Sequence, residues 1–102
     1  MKDNIIQDKS FQFAVRIINL YKYLINNKKE FILSKQLLRS GTSIGANIEE
    51  SIGGYSAKDF LAKLSISYKE ARETIYWLKL LKETEYISKI EFDSIYKEAD
   101  EV

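Results

Sequence analysis

An all-α fold of four helices follows from three observations on this chain of 102 residues. Apolar residues recur three and four apart over long stretches, the period of a helix face. Proline is absent, which removes the commonest helix breaker. The gaps between periodic stretches carry Asn, Gly or Ser where helices end and begin. Links this short make successive helices antiparallel neighbours, and the expectation is an up-down-up-down bundle forming one domain over residues 1–102.

The first helix is expected from Asp8 to Asn26, with Asp8 or Ser10 as N-cap and Ile5 and Ile6 as staple residues. It carries two apolar stripes. Phe11, Ala14, Val15, Ile18, Tyr21 and Ile25 form one, and Phe13, Ile17, Leu20 and Leu24 lie beside it. Together they are wider than one core contact requires. Asn26-Asn27-Lys28-Lys29 ends the helix, since Asn tolerates the left-handed conformation of many C-caps.

The second helix is expected from Glu30 to Ile52. Its centre, Gln36 to Ser51, is rich in Gly, Ser, Thr and Asn, all mediocre helix formers. Leu37, Gly41, Ile44, Ile48 and Ile52 nevertheless keep helical spacing. A helix poor in propensity and good in period is held by packing. Gly41 and Gly45, four apart, let another backbone approach closely. Gly53-Gly54 then reads as a stop supplying positive φ.

Ser56 to Asp59 reads as a capping box for the third helix, from Ala57 to Glu83. Ala57, Leu61, Leu64, Tyr68, Ala71, Ile75 and Leu78 read as a heptad seam, with Ile66, Trp77 and Leu80 on a flank. Ser88 to Glu91 repeats the capping box and starts a short fourth helix with Phe92, Ile95, Tyr96, Ala99 and Val102.

Composition narrows the chemistry. With no Cys and no His, disulfides, thiolate metal sites and imidazole acid–base catalysis are excluded. Glu49, Glu50, Glu70 and Glu73 lack the Glu-x-x-His pairs of bundle di-metal centres, so neither metal nor cofactor is expected. Gly41-x-x-x-Gly45 lacks the Gly-Lys-Ser/Thr and the preceding strand of a phosphate loop. No nucleophile stands beside an activating base, and the expectation is a protein without enzymatic activity or small-molecule substrate. No apolar run reaches membrane-spanning or signal-peptide length, which gives a cytoplasmic reading.

The net charge of +1 divides unevenly. Residues 1–45 hold eight basic against three acidic groups, net +5, and residues 46–102 hold eight against twelve, net −4. Arg16, Lys22, Lys28, Lys29 and Lys35 are the candidates for RNA contact, set against the commoner reading of a solvated helix face. Glu70, beside the seam of the third helix, is expected to meet Asn47, Ser43 or Arg39 of the second.

Gln36-Leu37-Leu38-Arg39-Ser40, Ser43-Ile44 and Asn47-Ile48 with Glu50 resemble the signature of the bacterial 23S ribosomal RNA intervening-sequence proteins. Ser56, Phe60-Leu61, Ser67-x-x-Glu70 and Tyr86-Ile87-Ser88 extend the resemblance over nearly the whole chain. Glu49 and Ser51 depart from it, standing where a small residue and Gly are usual. The resemblance marks Arg39, Ser43, Gly45, Asn47, Glu50 and Glu70 as motif residues. It implies a homopentamer of helical bundles and no established activity. It also extends to accessory proteins of diversity-generating retroelements, which bind a reverse transcriptase and nucleic acid.

The expected function is a non-enzymatic interaction protein that assembles as a homo-oligomeric ring. The alternative is an RNA-binding or nucleic-acid-binding accessory protein using a basic face of the ring. Apolar surface beyond the needs of one bundle would join the subunits. Phe13, Ile66, Trp77 and Leu80 are the interface candidates, with the bundle core as the other place for Phe13 and Trp77.

Overall fold

The computed structural model describes residues 4–102 as four helices with no strand among the described residues. They are α1 (Asn4–Asn26), α2 (Leu33–Ile52), α3 (Ala57–Glu83) and α4 (Lys89–Asp100). α2 packs against both α1 and α3, while α4 lies against α3 and α1. Gln7 meets Glu49, Ser10 meets Gly45 and Ile17 meets Gly41, so sequence order along α1 runs against that along α2. Ser67 meets Ile44 and Thr74 meets Ser40, the same opposition between α2 and α3.

One stripe of each helix fills the core. α1 contributes Phe13, Ile17 and Leu24, α2 Leu37, Ile44 and Ile48, α3 Leu78 and Leu81, and α4 Phe92, Ile95 and Ala99. Gly41 explains how α1 and α2 come so close. A Cβ at that position would stand 2.8 Å from two carbons of Ile17, inside any tolerable contact. At Gly45 a Cβ would lie 3.3 Å from the Ser10 carbonyl oxygen, so there the small residue faces backbone.

Local chemistry sets the helix ends, and it differs from expectation in four places. α1 already includes Asn4, which puts Asp8 and Ser10 inside the helix, where Ser10 is buried and donates to the Gln7 carbonyl. α2 begins at Leu33, because the Glu30 carboxylate turns back over its first turn and accepts from the N–H groups of Ile32, Leu33 and Ser34. Three otherwise unsatisfied donors are met by one buried side chain. Neither Gly53 nor Gly54 has positive φ; the left-handed residues are Lys29 (φ 56°) and Glu85 (φ 69°), in the turns after α1 and α3. Ser56 accepts from the Asp59 N–H, whereas at α4 both halves of the capping box form between Ser88 and Glu91.

The seam of α3 holds in part: Leu78 is buried and Leu64, Ala71 and Ile75 pack against the core. Leu61 and Tyr68 are each 63% exposed, and the residues buried on α3 are Ser67, Thr74, Leu78 and Leu81. Two of these are hydroxyls. Ser67 donates to the Ile44 carbonyl at 3.0 Å, and the Thr74 and Ser40 hydroxyls lie 2.9 Å apart. Small polar groups that find partners across the contact are buried cheaply and bring the helices close.

Candidate functional site

Two of the motif residues of α2, Arg39 and Glu50, reach across to α3. Arg39 places one guanidinium nitrogen 3.3 Å from Glu70 and hydrogen-bonds Glu73 with another. Trp77, one turn on from Glu73, donates its indole N–H to the same carboxylate at 2.9 Å. Of the three partners expected for Glu70, the structure supplies Arg39. Asn47 is occupied within α2, donating to the carbonyl and hydroxyl of Ser43. Glu50 pairs with Lys63 of α3 at 2.7 Å, and Gly45 faces α1.

This cluster is electrostatically organised. The Trp77 hydrogen bond first, and then Arg39, hold the Glu73 carboxyl below its ordinary range. The Arg39 guanidinium is raised in turn, chiefly by its hydrogen bond to Glu73. Arg39, Glu70, Glu73 and Trp77 thus form one half-exposed hydrogen-bonded cluster that links α2 to α3. Among the described residues no three acidic side chains gather as a metal-ligand set.

Of the five basic candidates, Arg16 is set apart from the four that flank the turn between α1 and α2. Arg16 is ion-paired to Glu98 of α4 at 2.7 Å. Lys28 sits 5.9 Å over the Tyr23 ring and borders a hollow shared with Glu83, Glu85 and Glu91. Lys22, Lys29 and Lys35 are exposed, on α1, in the turn and in the first turn of α2.

The apolar candidates divide between core and surface. Phe13 is 1% exposed and lies in the core of the single chain, which corrects its assignment to a subunit interface: its stripe is the one α1 turns inward. The other stripe stays outside. Phe11 is 64% exposed, Val15 and Ile18 are also exposed, and Ala14, Tyr21 and Ile25 are half-buried. Beside it, a hollow of about 210 Å³ runs between α1 and α2 past Phe11, Ala14, Thr42 and Ala46. On α3, Ile66 is exposed, while Trp77 and Leu80 are half-buried, Trp77 packing against the core.

Sequence reasoning missed the outer surface between α3 and α4. Tyr68, Tyr76 and Tyr96 are exposed there beside Arg72 and Lys79. The signal was present, because positions 68, 72, 76 and 79 share one helical face, but the apolar body of Tyr68 placed it in the seam.

No helix among the described residues is long and apolar enough to cross a membrane. No curated protein matches the sequence. A solved structure does. A protein of unknown function from the S23 ribosomal protein family of Bacteroides thetaiotaomicron VPI-5482 is 57% identical, with a TM-score of 0.94 over 95% of this chain and 90% of that one. The sequence model of the family described as 23S rRNA-intervening sequence protein matches residues 2–102. The chain therefore belongs to the 23S rRNA-intervening sequence protein family.

Proposed function

We propose that the protein is a non-enzymatic interaction module, an up-down-up-down bundle that assembles with copies of itself into a closed ring. The observation that carries this reading is the outer stripe of α1. Phe11, Ala14, Ile18, Tyr21 and Ile25 follow one another at three, four, three and four, a heptad seam whose residues are exposed or only half-buried in the single chain. Burying such a stripe contributes about 25 cal/mol per Å² of apolar area before association costs are subtracted. Rotational symmetry would let it meet a different patch on the next copy and close the ring without open ends. The number five rests on the family resemblance.

Native mass spectrometry counts the subunits. Five copies are expected, a stable dimer would remove the ring, and a monomer at micromolar concentration would remove the reading altogether. The nucleic-acid alternative has less support, because Arg16 is engaged by Glu98 and Lys28 borders a hollow shared with Glu83, Glu85 and Glu91.

A further inference from the structure

The groove between α3 and α4 combines two cations, two tyrosines and an isoleucine. Arg72, Ile75, Tyr76, Lys79 and Tyr96 enclose about 310 Å³, and among the described residues no carboxylate lines it. Tyr96 stacks on buried Phe92 with ring centroids 5.8 Å apart, and Arg72 lies 5.9 Å over the Tyr68 ring. These aromatic contacts restrain both side chains before any partner arrives, which lowers the ordering cost of binding. Asp100 borders the adjoining hollow that shares Arg72 and Ile75.

We infer that this groove docks an acidic segment of a partner protein, two carboxylates straddling an apolar side chain. Arg72 and Lys79 are seven residues apart on α3, hence on one face and about 10 Å apart along the axis. Carboxylates seven apart on a helix match that spacing and share one face. Between the two cations, Ile75, Tyr76 and Tyr96 offer an apolar floor with polar rims, the composition of protein-binding hot spots.

A polyanion fits less well. Two cations neutralise few phosphates, and residues 46–102, which include both helices, carry net −4, repelling a long phosphate chain. A short acidic segment needs only the local pair. The inference is independent of ring assembly, since it rests on α3 and α4 and not on the outer stripe of α1.

The test uses a short fluorescein-labelled helical peptide with two glutamates seven positions apart and leucines between them. Versions with glutamine or lysine in place of the glutamates, and an oligouridylate, serve as comparisons. Fluorescence anisotropy at low salt should show the glutamate peptide binding about tenfold or more tightly than the glutamine one. Arg72→Glu/Lys79→Glu should invert the preference, losing the glutamate peptide and gaining the lysine one, a reversal that a damaged fold would not produce. Three outcomes overturn the proposal: equal binding of all peptides or of none, displacement of the peptide by oligouridylate, or a change in subunit number in the charge-reversed protein.

Discussion

Ile17 of α1 occupies the space in which a side chain on Gly41 of α2 would stand, with two of its carbons 2.8 Å from the position of the missing Cβ. Gly41→Leu should therefore force α1 and α2 apart and lower stability by about 1–3 kcal/mol or more. Gly53→Ala is the control. Its φ of −87° suits any residue and its nearest neighbour is 4.0 Å away, so a change within about 0.5 kcal/mol is expected. Urea melts compare the two; equal stability would show that Gly41 is not a packing glycine.

Glu30 ends the turn before α2 by accepting from three successive backbone N–H groups while nearly buried. Glu30→Ala should cost about 1–2 kcal/mol, as loss of a helix cap does. Glu30→Gln keeps an acceptor oxygen and should cost less. Indistinguishable melting of both variants and the parent would remove Glu30 as the cap.

Lys29 and Glu85 adopt left-handed backbone at φ of 56° and 69°. That conformation costs a residue with a Cβ roughly 1–2 kcal/mol, and glycine adopts it freely while losing some of the gain to chain entropy. Lys29→Gly and Glu85→Gly should each raise stability by about 0.5–1 kcal/mol. Loss of stability in both would show that the turns are held by those side chains.

Glu73 links Trp77 to Arg39, and its carboxyl is held below the ordinary range by their hydrogen bonds. A group whose folded pKa is lowered stabilises the fold above its unfolded pKa, and the contribution fades as pH falls through the folded value. Melting temperature should therefore drop on acidification below the ordinary carboxylate range, and less steeply in Glu73→Gln. Parallel pH profiles for the two proteins would contradict the assignment.

Helix identity was legible where the signals are local. Ser56 and Ser88 announce α3 and α4 because a hydroxyl before a helix has one obvious use, and the span of α3 agrees with its prediction. The start of α2 was not legible, since Glu30 caps by reaching forward over the first turn and resembles an ordinary helical glutamate. Part of the inward face of α3 was not legible for a related reason: Ser67 and Thr74 count as polar, yet they are buried because α2 supplies their partners. On α1 the spacing shows two apolar stripes and does not say which turns inward, which leaves both interface and core open for Phe13; the fold buries Phe13 and exposes Phe11. The Arg39–Glu70 contact was accessible because the motif set both groups near one helix–helix contact, whereas Trp77 stands four residues from Glu73, a spacing that permits their hydrogen bond and equally a purely apolar role.

The central claim is that the outer stripe of α1 joins copies of this chain. Sedimentation equilibrium of the parent protein beside Phe11→Glu/Ile18→Glu tests it most directly, because both side chains are exposed in the single chain and their replacement leaves the core intact. The account predicts a ring-sized mass for the parent and a folded monomer, with unchanged helical circular dichroism, for the variant. A parent that sediments as a monomer, or a variant that keeps the parent's mass, would contradict it.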